Sequence, residues 1–318
     1  MPIEVINFDN EQAWLERRLK DVTSTEISAL FGLSPYKTEF ELFHEKREGR
    51  VIQFKPNERM KWGTRFESAI ALGVAEDQGW DVEPFKAYIS NTQLRIGSSF
   101  DFKIKHPQFG IGIMEIKNVD SLVFKRTWVD NGDGNLEAPA HIEMQVQHQM
   151  EVAEIDWCAI VAMVGGNTPK VIFRRRDPEI GKQIRDKVAA FWNRVDTNDA
   201  PSSDYTADAD FLIQLYSQAN EGESIDVSND EIIAQLVAEY QFCGKQADEL
   251  DAKRRGIKAQ LLERIGTAEK AIATWGSITA GMVKEDAGTV ITPEMVGTTI
   301  GARKGYRQFR VNMKREAV

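Results

Sequence analysis

Two cysteines in 318 residues are too few for a disulfide framework. One of them, Cys158, lies in the apolar run Trp157-Cys-Ala-Ile-Val-Ala-Met-Val, where a small buried thiol is expected. No apolar run reaches the roughly 18 residues of a membrane-crossing helix. Met1-Pro-Ile-Glu-Val has none of the basic character that opens a secretory leader, so a cytoplasmic location is expected. Positive charge is also short: 40 Lys and Arg stand against 49 Asp and Glu, a net charge of −9. Such a chain has no general basic coat for polyanions. Any nucleic-acid contact is expected to run through a locally basic channel, to which Arg17, Arg18, Lys20, Lys37, Lys61, Arg65, Lys103 and Lys105 can contribute.

What is present includes 42% hydrophobic residues, enough for one large domain with an appendage. The richest segment for chemistry is Gly97-Ser-Ser-Phe-Asp-Phe-Lys-Ile-Lys, a turn at His106-Pro-Gln-Phe-Gly, then Gly112-Ile-Met-Glu-Ile-Lys. Alternating Phe100, Phe102 and Ile104, followed by β-forming Ile111, Ile113 and Ile116, predict a hairpin. Glu115 and Lys117, two apart, project from one face of the second strand, while Ile116 faces the other, apolar side. Asp101 on the first strand supplies a second carboxylate. Two carboxylates converging across a hairpin offer hard oxygen ligands of the kind Mg²⁺ or Mn²⁺ takes. A neighbouring lysine can hold a water or stabilise developing negative charge. The same residues also suit an ordinary solvated hairpin face.

Around this hairpin the periodicity predicts a broken helix over 11–32, with Thr23, Ser24 or Thr25 as N-cap of its second part. A further helix runs through Glu67 to Gln78, and short strands fall near 79–82, 86–90 and 93–97. Next come a helix over 139–154, a buried strand from Asp156, a strand over 169–176 and an amphipathic helix over 180–195. Gln145 and Gln149 share one face of the 139–154 helix. The polar, acidic stretch after Thr197 reads as a connector. It divides a core over 1–200 from an extension over 201–318, in which 229–265 forms a long helix or helical hairpin with coiled-coil-like spacing, followed by a terminal β element. Arg303 to Arg315 interleaves basic residues with Tyr306 and Phe309, suiting either a half-exposed strand or a single-strand DNA contact.

Asp101 followed by Glu115-x-Lys117 resembles the PD-(D/E)xK nucleases. Three further blocks are similar to the lambda exonuclease/YqaJ-type phage recombination nucleases. They are Arg18 to Thr25 with Gly32-Leu-Ser-Pro-Tyr-Lys-Thr, Gly63-x-x-x-Glu67, and Gln145-Val-Gln147. The resemblance implies an α/β fold with a restriction-endonuclease-like core, a mixed central sheet flanked by helices. It implies Mg²⁺-dependent 5′-to-3′ degradation of one strand of duplex DNA, with Mn²⁺ as a substitute. By the same resemblance Asp101, Glu115 and the carbonyl of Ile116 hold metal, and Lys117 and Glu67 position the attacking water. Arg18, Thr25, Ser99 and Gln147 hold a 5′-terminal phosphate. The partners implied are duplex DNA ends, a single-strand annealing protein and two further copies of the chain in a trimer. Two cysteines do not suffice for the iron–sulfur members of the superfamily. An endonuclease, a nuclease of other polarity, or a non-catalytic DNA-binding scaffold on the same fold stay open as alternatives.

Overall fold

The computed structural model describes residues 3–49, 57–130, 135–274 and 276–282. The basic segment from Arg303 lies outside them. Chain contacts divide the molecule into two compact units, 1–212 and 213–318. The first unit opens with β1 (Ile3–Ile6), α1 (Glu11–Arg18), β2 (Val22–Thr23), α2 (Ile27–Leu30), α3 (Glu39–Glu48) and α4 (Glu58–Gln78). There follow β3 (Asp81–Pro84), β4 (Tyr88–Asn91), β5 (Ile96–Ser98), β6 (Phe102–His106) and β7 (Gly110–Val119). Then come α5 (Ser121–Thr127), β8 (Val129–Asp130), β9 (Leu136–Glu137), α6 (Ala140–Ala153), β10 (Trp157–Val164), β11 (Thr168–Arg175) and α7 (Pro178–Thr197).

The central sheet has the order β11-β10-β7-β6-β3, with β10 parallel to β7 and the other neighbours antiparallel. The parallel step requires a crossover, which α6 provides. Strand alternation then sorts the core onto two faces. On one, Ile113, Cys158, Ile160 and Ile172 pack with Ile142, Val146 and Met150 of α6 and with Ile184, Val188 and Phe191 of α7. On the other, Phe102, Ile104, Met114, Ile116 and Ala159 pack with Ile70, Ala71 and Val74 of α4. This is the mixed α/β core expected, with helices on both sides of a mixed sheet. A four-stranded sheet, β1-β4-β5-β2, stands beside it.

Trp157, 2% exposed, closes over the hairpin. Its indole N–H donates to the Phe109 carbonyl at 3.0 Å, and the ring fills the space in which a Cβ on Gly112 would stand, 2.2 Å away. Gly112→Ala is therefore expected to destabilise the first unit by about 1–3 kcal/mol through overpacking. Urea denaturation checks this, and an unchanged midpoint would show that Trp157 moves aside freely.

The first unit runs on to Leu212 rather than ending at 200. Asp208, 1% exposed, accepts from the Thr38 hydroxyl at 2.5 Å, and Phe211 packs edge-on against Phe40. The stretch after Thr197 thus contains anchors that its acidic composition conceals. α8 (Ala209–Leu215) contains the boundary. The second unit contains α9 (Glu231–Ile265), started by the Asp230 carboxylate, which accepts from the Ile233 N–H, and a hairpin of β12 (Lys270–Ala273) with β13 (Gly276–Thr279). None of the residues of α9 is buried, and its apolar stripe, including Ile232, Leu236 and Leu250, is exposed. Among the described residues no helix is long and apolar enough to cross a membrane.

Candidate active site

The β6–β7 register pairs Phe102 with Met114, which sets Asp101 opposite Glu115 across the two strands. Asp101 is held in place by the Ile116 N–H, which donates to its Oδ2 at 2.8 Å. Glu115 is 3% exposed and accepts three hydrogen bonds. Lys117 Nζ and Gln145 Nε2 each reach its Oε1 at 2.6 Å, and Gln149 Nε2 reaches its Oε2 at 2.7 Å. Lys117 also donates to Gln145 Oε1 at 3.1 Å. A buried carboxylate held this way keeps one orientation.

The electrostatics follow from crowding of like charge. Burial, and then the charge of Glu115, push the Asp101 carboxyl well above the ordinary range against the opposing pull of Lys117 and the Ile116 N–H. Glu67, on α4, is raised by burial and by Glu115, with Lys117 and a hydrogen bond from Thr64 opposing. Burial alone would lower Lys117, but the charges of Glu115 and Asp101 outweigh it and raise its pKa. Glu67, Asp101, Glu115 and Lys117 therefore act on one another as a single cluster.

Among the described residues no three His, Cys, Asp or Glu side chains converge closely enough to form a ready-made metal site. The donor chemistry nevertheless fits a hard divalent cation. Two carboxylates face each other, and burial together with the Glu115 charge raises the Asp101 carboxyl, a strain that a bound cation would relieve. The Ile116 carbonyl would complete an oxygen set from the same strand.

A second group forms where α1 meets β2. Arg18 donates to the hydroxyls of Thr23 and Thr25 at 3.3 and 3.2 Å, and its guanidinium lies 4.6 Å from the Trp14 ring centroid. Trp14 donates from its indole to Ser99 Oγ at 3.0 Å, and the Ser99 carbonyl accepts from Gln149 at 3.3 Å. A continuous polar chain thus runs from Thr25 through Arg18, Trp14, Ser99 and Gln149 to Glu115.

None of Thr23, Ser24 and Thr25 caps α2 as the sequence suggested. The N-cap position is Glu26, which makes no side-chain cap bond there; its carboxylate accepts from the Thr23 N–H instead. Gln147 is the site residue that the fold leaves out of the group. It donates to the Arg175 carbonyl at 2.9 Å and accepts from the Asp177 N–H at 3.0 Å, tying α6 to the end of β11 and the start of α7. Gln145 and Gln149, for which the sequence suggested no role, are the glutamines of α6 that reach Glu115. Their four-residue spacing, which puts them on one helix face, was the available signal.

Residues 13–156 match the model of the YqaJ-like viral recombinase domain. The uncharacterized protein YqaJ of Bacillus subtilis is 26% identical over 278 residues, covering 84% of this chain and 82% of that one. An alkaline exonuclease from Laribacter hongkongensis, crystallised with dAMP, is 20% identical, with a TM-score of 0.49 over 59% of this chain and 93% of its own. A phage-related exonuclease from Haemophilus somnus is 14% identical, with a TM-score of 0.41 over 56% of this chain and 94% of its own.

Proposed function

With a YqaJ-like viral recombinase domain in residues 13–156 as its starting point, we propose that this protein is a Mg²⁺-dependent exonuclease that degrades one strand of duplex DNA from its 5′ end. The observation that carries the reading is Glu115, held by Lys117, Gln145 and Gln149 opposite Asp101. Asp101, Glu115 and the Ile116 carbonyl are the groups that would hold Mg²⁺. When bound, the cation would offset the phosphodiester's negative charge and ease loss of a proton from the water that attacks it. Lys117 donates to negative charge developing on the phosphate oxygens. Glu67, with its carboxyl raised above the usual range, is suited to accept a proton from the incoming water. Gln145 and Gln149 keep Glu115 from turning away.

Arg18, Thr25 and Ser99 form the pocket for a 5′-terminal phosphate, in which the guanidinium exchanges its hydroxyl partners for the charged ligand. The remaining 3′ strand would pass to a single-strand annealing protein, and a ring-shaped trimer would keep the enzyme on its substrate.

The test uses linear duplex DNA labelled at one end, bearing a 5′-phosphate or a 5′-hydroxyl, with Mg²⁺ or with EDTA. Loss of the 5′-phosphorylated strand with Mg²⁺ alone supports the reading. Internal cuts, or binding without cleavage in either condition, would overturn it. In the same assay Arg18→Ala is expected to abolish the preference for the 5′-phosphate, a loss of about 1.5–3 kcal/mol from one charged hydrogen-bonding partner. An unchanged preference would place the phosphate pocket elsewhere.

A further inference from the structure

An exposed ring stands within electrostatic reach of Lys117. Tyr36 is 82% exposed, yet the backbone beneath it is fixed. Ser34 Oγ accepts from the N–H groups of both Tyr36 and Lys37 at 3.2 Å, and Lys37 is ion-paired with Glu45 of α3. The phenol meets His141 edge-on, with centroids 5.6 Å apart and planes at 89°.

The position of His141 ties this pair to the chemistry. His141, Gln145 and Gln149 recur every four residues along one face of α6, and the latter two hold Glu115. His141 therefore stands one turn from the grip on the carboxylate. Both rings are also within electrostatic reach of Lys117. Burial and the Lys117 charge keep the His141 imidazole below its usual value, and Tyr36 is among the groups that raise Lys117.

An exposed aromatic on a pinned backbone, braced from one side, offers a flat π face at little entropic cost. We propose that Tyr36, braced by His141, is a stacking shelf for the nucleobase of a nucleotide flanking the phosphodiester held at Asp101, Glu115 and Lys117. The proposal rests on the nuclease reading above and adds a residue that holds the base while the carboxylates hold the phosphate. Because every base has a π face, the shelf is indifferent to sequence. It favours nucleotides already unstacked from the duplex, so frayed ends are better substrates than closed ones.

The test reads base stacking separately from cleavage. Duplexes carry 2-aminopurine at each of the last three positions of either strand, with phosphorothioate terminal linkages, in EDTA and in Mg²⁺. The wild-type protein is expected to quench the probe at one position. Tyr36→Phe should keep that quench, and Tyr36→Ala should lose it, with affinity lower by about tenfold, the scale of one base–aromatic stack. A quenching profile in Tyr36→Ala identical to that of the wild type would overturn the shelf while leaving the nuclease reading intact. A wild-type protein that neither binds nor degrades duplex DNA would overturn both.

Discussion

Lys117→Ala is expected to lower DNA cleavage by roughly 10²–10³-fold while leaving duplex affinity close to that of the wild type. The asymmetry follows from what Lys117 touches. Its ammonium is committed to Glu115 and Gln145 inside the cluster, so it adds little to the outer surface that first meets DNA. Its effect is concentrated where charge develops on the phosphate during reaction. Removing it also takes one of three hydrogen-bond donors from Glu115, whose buried charge is then less well matched. Single-turnover cleavage and equilibrium binding, measured on one preparation, separate the two effects. Cleavage at the wild-type rate would remove Lys117 from the chemistry.

Lys46→Met is expected to destabilise the first unit by about 3–5 kcal/mol, the cost of stranding one member of a buried ion pair. Lys46 Nζ donates at 2.8 Å both to Glu26 Oε2 and to the Arg18 carbonyl, and its side chain is 1% exposed. Glu26 would be raised by burial, but Lys46, Arg18 and Lys37 together hold it at about 2. A carboxyl lowered in the folded state contributes stability above its unfolded value near 4.5 and loses it as pH falls toward 2. The wild type should therefore lose stability steeply between those limits, and Lys46→Met should show a flatter acid limb. Urea midpoints across that range measure both. Matching slopes in the two proteins would mean that Glu26 does not depend on Lys46. Because Lys46 also holds the Arg18 carbonyl, the variant should loosen the proposed phosphate pocket as well.

Where the fold was legible in the sequence, local periodicity was the reason. The hairpin of Asp101 and Glu115 and the helices α6, α7 and α9 all follow from spacing of period two or three to four. In the small sheet β4 and β5 were legible as the strands expected near 86–90 and 93–97, but β2 was not, because it consists of Val22 and Thr23 alone and pairs in parallel with β5, far along the chain. Two residues carry no period. Nor does spacing reveal that Lys46, flanked by charged residues in α3, is buried against Glu26. For the glutamines spacing told only half: it put Gln145 and Gln149 on one face of α6 and Gln147 on another, while the packing of the helix decides that the first face meets Glu115. Several candidate DNA-binding cations prove to be engaged already, with Arg17 on Asp21, Lys37 on Glu45, Lys61 on Glu58 and Lys103 on Glu83.

The antiparallel register of β6 and β7 has a consequence for how this site can diverge among relatives. Residues added to or removed from the turn over 107–109 lengthen or shorten the loop without changing which residue lies opposite Glu115. A single residue inserted within β7 between the turn and Glu115 would turn Glu115 and Lys117 toward the apolar face packed on α4. The gap between the Asp and the Glu-x-Lys is thus free to drift in length, whereas the parity of the strand is not. Recognition of distant homologues should leave that gap open and demand the strand pattern on either side of it.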